Sequence, residues 1–486
     1  MAATQGTIQD KARVLTSKGY AIKKSALTEI QTQGLRSELT MQAKTLDKFQ
    51  KCVPAFPIYY ESKTRFYVPR HWGIQKFGEP EADIVSEGLP LPANVMCKES
   101  SKPHDFQKDI INTFIEGGGN GLICVPCGYG KSYMALNIAL RLQKRFLVIV
   151  DKEFLMNQWK SEISNFIDGA RVGVLQANKA QVDADKYDIT ICMIQTICRR
   201  EFPDGFFDQY GFAVFDECHH LGASYFCEAL KKIQTKCMLG LSATPDREDG
   251  LSCVFEHFLG EAVYKLTIRA PDKEAVVKAI WFHSDDPVYS EVPVNWRGEV
   301  VTAKLLNQVA EFETRNQKIM KVIDEYAQDS NRNILILSDR ISQLEWFEKA
   351  LNEWSTKYKH GYYIGGMNQK VLDENAEKCQ ILLATYQMCS EGFSVKKLNT
   401  VILATPRKNV EQSTGRIFRQ RMDERKVAPH IIDIIDSHAM LTNRWYIRNR
   451  FYKKCEYTIQ HIDKPKKVVK DKEEEENNNE TFLFKF

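Results

Sequence analysis

The chain has 486 residues, of which 43% are hydrophobic and 27% charged, and its formal net charge is +4. That length accommodates two or three domains with cores of their own, and the composition is that of a soluble globular protein, with a charge too mild to identify a nucleic-acid partner by itself. No run approaches about 18 consecutive apolar residues and MAATQGTIQDKARVL does not read as a secretory signal, so neither a membrane span nor secretion is expected and the expected setting is intracellular.

In chain order, residues 1–100 carry no chemical motif and are expected to form an N-terminal accessory domain. Their one dense cluster, Phe66-Tyr67-Val68-Pro69-Arg70-His71-Trp72-Gly73, fits either a packed strand edge or a nucleic-acid contact surface. Between 101 and 270, short apolar runs at 121–125, 145–150, 188–193, 212–215 and 237–241 alternate with amphipathic stretches. Such runs predict buried parallel strands joined by crossover helices. The texture returns over 271–455, with strands predicted at 277–282, 333–337, 361–364, 380–384, 400–404 and 430–435. Two α/β domains in series follow, joined at Ala270-Pro271-Asp272-Lys273-Glu274, a charged, proline-bearing linker. Residues 456–486 read as a charged, disordered tail ending in the apolar Phe482-Leu483-Phe484-Lys485-Phe486. The thirteen cysteines are scattered without a CxxC pair, which argues for reduced structural thiols over a zinc or iron–sulfur site.

Chemistry enters at Val125-Pro126-Cys127-Gly128-Tyr129-Gly130-Lys131-Ser132, which follows a predicted strand and opens a predicted helix. Small residues there let backbone N–H groups converge on phosphate oxygens at the positive end of a helix dipole. Lys131 supplies charge at the β/γ-phosphates and Ser132 a hydroxyl ligand for magnesium. Val125 stands where the phosphate-loop pattern has its first glycine. A second strand, 212–215, ends in Asp216-Glu217-Cys218-His219-His220. Alone, this could be a metal site or a solvated strand end. Downstream of a phosphate loop, Asp216 suits the magnesium shell, and Glu217 suits orienting or deprotonating a water.

Four further segments carry a resemblance to the superfamily 2 helicases. Phe106-Gln107 lies upstream of the loop, where that family reads the adenine edge. Leu241-Ser242-Ala243-Thr244-Pro245 is similar to its SAT-type third motif, and Ala384–Phe393, containing Gly392, to its fifth. Gln412-Ser413-Thr414-Gly415-Arg416-Ile417-Phe418-Arg419 is similar to its QxxGRxxR motif. Arg416 and Arg419 lie three residues apart on one helical face, from which an arginine finger can reach phosphates held by the other domain. The stretch from Val150 to Trp159 resembles the family's Ia region, with Asp151 where proline is usual. Ile194-Gln195-Thr196 resembles the Ib region, and Ile334–Arg340 the fourth motif; these would contact nucleic acid.

The wording PCGYGKS, DECHH and SATPDREDG is closer to XPB-like DNA helicases than to the DEAD-box RNA helicases, and Arg247-Glu248-Asp249 fits either that branch's RED triplet or a solvated loop. With the YVPRHWG segment it resembles helicases of large nucleocytoplasmic DNA viruses, the poxvirus and African swine fever virus type. The resemblance implies two tandem RecA-like parallel-sheet domains, with ATP and Mg²⁺ as cofactors. It further implies 3′→5′ movement on single-stranded or tailed duplex DNA, and a role in transcription termination. RNA–DNA hybrids, RNA polymerase or other transcription-complex proteins would be further partners, with no membrane involved, in host cytoplasm and virion. The motifs also fit a duplex translocase that separates no strands and an ATP-switched nucleic-acid clamp.

Overall fold

The computed structural model describes residues 10–44, 54–98, 103–126, 128–222, 224–243, 246–247, 249–266, 272–354, 358–420 except 391–394, and 422–465. The chain divides into two compact units, Met1–Thr267 and Ile268–Phe486.

The first unit is built on an eight-stranded sheet. Its strands run in the order Lys179–Ala180, Val172–Gln176, Ile189–Met193, Phe146–Val150, Phe212–Phe215, Cys237–Ser242, Asn120–Cys124 and Ala262–Lys265. Every pairing is parallel except that of the short terminal strand Lys179–Ala180. Phe146–Val150 and Phe212–Phe215 are buried at every position, as strands covered on both faces must be. Strands 172–176 and 262–265 carry weaker apolar runs, and the sequence pattern does not single them out. Asn120–Cys124, Cys237–Ser242 and Phe212–Phe215 are consecutive neighbours, so the segments leaving their C-terminal ends converge. In open parallel sheets that is where ligands bind.

A five-stranded sheet from the first hundred residues shares the core of this unit. Leu15, Tyr20, Phe66 and Trp72 lie in one buried cluster with Leu122, Leu147 and Phe215. Arg70 is 3% exposed. It donates to Asn120 Oδ1 (3.2 Å), Lys236 O (3.0 Å) and Thr235 O (2.6 Å), pinning its helix Arg70–Phe77 to the edge where strand Asn120–Cys124 begins. Of the two readings of YVPRHWG, Arg70 and Trp72 therefore follow the packed one.

The second unit is a seven-stranded, wholly parallel sheet. Its order is His360–Tyr363, Ile381–Thr385, Ile334–Ser338, Thr400–Leu403, His430–Asp436, Val276–Phe282 and Thr458–Ile462. The last strand corrects the tail boundary read from composition. Thr458–Ile462 pairs with Val276–Phe282, because a strand at the sheet edge needs only one ladder and tolerates a polar face. The apolar end Phe482–Phe486 lies outside the described residues, as do Ala270 and Pro271 of the expected linker. Asp272, from that linker, is buried and ion-paired to Arg425 at 2.7 Å. Among the described residues no helix is long and apolar enough to cross a membrane.

Candidate nucleotide site

The phosphate loop departs from Asn120–Cys124 into the helix Lys131–Leu142. Val125, the departure from the glycine pattern, is fully buried in the core, and its N–H donates to Ser242 O at 3.1 Å. Its place in the loop is an extension of the strand, where a β-branched side chain packs well, so no glycine is needed. Glycine is needed further on. Gly128 (φ +89°) and Gly130 (φ +78°) take left-handed backbone conformations, and a Cβ on Gly130 would stand 2.6 Å from Gln107 Nε2.

Gln107 is itself part of this construction. Its amide Nε2 donates to Tyr129 O (3.0 Å) inside the loop, while its Oε1 accepts from His104 N (3.0 Å). The residue expected to read an adenine edge thus also braces the phosphate loop, and the amide keeps one further donor and one acceptor site. Phe106 is 42% exposed, with its ring 5.7 Å from His104, stacked, and 5.8 Å from Tyr129, edge-on. Pro126 is buried and Ser132 half-buried beside it; Cys127 lies outside the described residues.

Lys131, the first residue of the helix, pairs with Glu217 Oε1 at 3.0 Å, both side chains being about nine-tenths buried. Asp216 accepts Trp159 Nε1–H through Oδ2 (2.8 Å) and the Glu217 N–H through Oδ1 (3.0 Å). Burial, reinforced by the Glu217 charge, raises the Asp216 carboxyl above its ordinary range. Burial pushes Glu217 the same way, but the Lys131 ammonium, first among the neighbouring groups, outweighs it and holds Glu217 below its ordinary value. Glu217 also sits at φ +45°, in the left-handed region that non-glycine residues rarely occupy. His219 Nδ1 shares a hydrogen bond with Ser242 Oγ (3.0 Å) and stands 3.4 Å from Glu217 Oε2; burial holds its imidazole neutral, at about 4. Arg247 pairs with Asp249 (Nε to Oδ1, 2.9 Å) and donates to the His219 carbonyl, so this pair braces the acidic segment. Glu248, Thr244 and Pro245 lie outside the described residues.

These oxygens and amides suit a magnesium–nucleotide. The donor set is hard oxygen (Asp216, Ser132), the cradle excludes side chains at Gly130, and a cation sits at a helix N-terminus. Among the described residues no group of three or more His, Cys, Asp or Glu could hold a metal ion.

Sequence reading placed Trp159 only in a segment facing nucleic acid. In the structure it is 1% exposed, with its N–H on Asp216. The signal available was its apolar register: it shares the buried face of helix Glu153–Phe166 with Leu155 and Ile163. The Ia and Ib segments are tied together as well, Gln195 Nε2 donating to Asp151 O at 2.6 Å.

In the second unit, Gln412 lies on the short helix Glu411–Thr414 and is half-buried. Arg416 is within the 3₁₀ turn Gly415–Phe418, and Arg419 directly follows it. With three residues per turn, positions three apart eclipse, so the two arginines share a face. Arg416 is 4% exposed. Gly392 lies outside the described residues.

Residues 100–247 match the family described as the res subunit of type III restriction enzymes, and 316–422 match the helicase conserved C-terminal domain. One match falls on each parallel sheet, and both sheets are RecA-like. The chain is 30% identical over 456 residues to "Putative ATP-dependent RNA helicase L396" of Acanthamoeba polyphaga mimivirus, covering 92% of this chain and 86% of that one. It is 30% identical over 405 residues to "Putative ATP-dependent RNA helicase QP509L" of African swine fever virus, covering 78% of each. Over 363 residues it is 29% identical to "Putative helicase 161L" of Invertebrate iridescent virus 6, covering 69% of this chain and 77% of that one.

Proposed function

Since the chain belongs to the superfamily 2 helicases related to those of large DNA viruses, we propose that it couples ATP hydrolysis to 3′→5′ movement on DNA, in viral transcription termination or transcript release. The observation that carries the ATPase part is the buried Lys131–Glu217 pair at a helix N-terminus, with Asp216 beside it. Loop N–H groups and Lys131 hold the phosphates. Phe106 and Gln107 receive the base. Asp216 and the Ser132 hydroxyl would hold Mg²⁺, which would supply charge neutralisation at the phosphates.

The ion pair gives this site an order of events. Lys131 is paired with Glu217. Phosphates compete for Lys131, and its departure raises the proton affinity of the buried Glu217 carboxylate, which then orients a water and accepts its proton. Arg416 and Arg419 of the second unit, with Gln412 of the same motif, then act on the transferred phosphoryl group, the arginines stabilising its charge, an effect worth roughly 10³–10⁵ in rate in related enzymes.

Two of the viral relatives are named as RNA helicases, which favours RNA as a second reading of the track. The decisive experiment compares ATPase rates with single-stranded DNA, duplex DNA and RNA at one salt concentration, because backbone-driven binding varies steeply with salt. Stimulation by DNA together with unwinding of a 3′-tailed duplex supports the reading. Stimulation by RNA alone replaces it with an RNA helicase. Duplex stimulation without strand separation makes the protein a translocase, and slow turnover indifferent to any polymer makes it an ATP-switched clamp.

A further inference from the structure

Trp159 is chemically placed for a task that its position in the Ia region does not suggest. It lies on helix Glu153–Phe166 and is 1% exposed, so its indole is no surface for a strand to stack on. Its Nε1–H meets Asp216 Oδ2 at 2.8 Å, while the other carboxylate oxygen is held by the Glu217 N–H at 3.0 Å. The Asp216 backbone is fixed too, its N–H donating to Ile149 O at 3.0 Å. One donor on each oxygen leaves the carboxylate a single orientation about its last torsion. Its remaining lone pairs are thereby aimed before any cation arrives. A buried carboxylate ordinarily finds a lysine or arginine partner, and here Lys131 is on Glu217 instead. The neutral indole N–H orients the oxygen without cancelling its charge, as an outer-shell partner of a metal ligand must.

We infer that Trp159 is the positioning residue for Asp216, setting the protein's affinity for the divalent cation and taking no part in gripping nucleic acid. The inference rests on the proposed role of Asp216 as a magnesium-binding carboxylate.

The test is Trp159→Phe, which keeps the buried ring and removes the N–H. Binding of Mn²⁺ to the ADP-bound protein, read by electron paramagnetic resonance, should weaken about 10- to 100-fold. The Mg²⁺ concentration for half-maximal ATPase should rise in step, with kcat at saturating Mg²⁺ within about threefold and strand affinity unchanged. Unaltered Mn²⁺ affinity in a folded variant overturns the inference, as does weakened strand binding with a normal cation requirement. A wild type without ATPase activity defeats the underlying reading instead. Should the variant fail to fold, wild-type protein labelled with 5-fluorotryptophan at its seven tryptophans gives the same answer. Mn²⁺ with ADP should broaden one ¹⁹F resonance from the first unit, where Trp72 and Trp159 are the tryptophans. A Trp72→Phe sample identifies which of the two it is. A Trp159 resonance untouched by Mn²⁺ refutes the placement.

Discussion

Replacing the phosphate-loop lysine by alanine is expected to destabilise the fold as well as inactivate. Lys131 is the ion-pair partner of Glu217, with side chains 11% and 12% exposed. Lys131→Ala therefore leaves a buried carboxylate without its ammonium partner, beside the His219 imidazole at 3.4 Å, which burial holds neutral. Removing one member of a buried pair commonly costs about 3–5 kcal/mol. Here the cost has a ceiling, because the orphaned carboxyl can take up a proton. From its ordinary value of 4.5 that ceiling is about 3.4 kcal/mol at pH 7, at about 1.36 kcal/mol per pH unit, and about 0.7 kcal/mol at pH 5. A loss of about 2–3 kcal/mol at pH 7 corresponds to a melting point lower by about 4–12 °C for a unit of this size. The assay is thermal denaturation of nucleotide-free wild type, Lys131→Ala and Lys131→Ala/Glu217→Gln at pH 7 and pH 5. The double variant should recover most of the stability at pH 7 while all ATPase activity stays absent, and the gap between single variant and wild type should narrow at pH 5. A single variant melting within about 1 °C of wild type at pH 7, or a double variant no more stable than the single, would refute the reasoning.

Glu217→Gln alone should bind ATP with near-normal affinity yet turn it over at least about 10²-fold more slowly, measured by equilibrium binding beside single-turnover hydrolysis. Arg419→Ala should lose about 10³-fold or more in kcat with little change in nucleotide affinity; an unchanged kcat removes Arg419 from the role of finger. His71 is kept neutral by burial, and secondarily by Arg70, with its value lowered from 6.5 to about 4. The unfolded chain thus binds the extra proton first, so stability is full above pH 6.5 and falls as the pH drops towards 4, by up to about 3 kcal/mol from this group. Melting curves of wild type and His71→Asn across that window should converge at low pH, and parallel curves count against the assignment.

The sequence by itself determined both parallel sheets in outline and the residues that gather at the phosphate loop. Runs such as FLVIV and ILILS admit one environment, a strand covered on both faces, and this is what they occupy. Local order likewise sufficed for Gly128 and Gly130, because a loop that turns into a helix around phosphate demands left-handed backbone within a few residues. Tertiary structure decided what depends on partners distant in sequence. Thr458–Ile462 looked like the start of a charged tail, and becomes a strand only because Val276–Phe282 offers it a free edge. Arg70 and Trp72 fitted either a packed strand edge or a nucleic-acid surface, and the choice came only from Thr235 and Lys236, more than 160 residues away, whose carbonyls accept from the guanidinium. Val125 looked like a defect in a glycine motif, yet its position is a core position in the strand register. Trp159 could be assigned to a helix but not to Asp216, since periodicity tells which face is buried and says nothing of which acceptor waits there. Short-range patterning is written in the order of residues; the choice of hydrogen-bond and ion-pair partner is made only when the chain has folded back on itself.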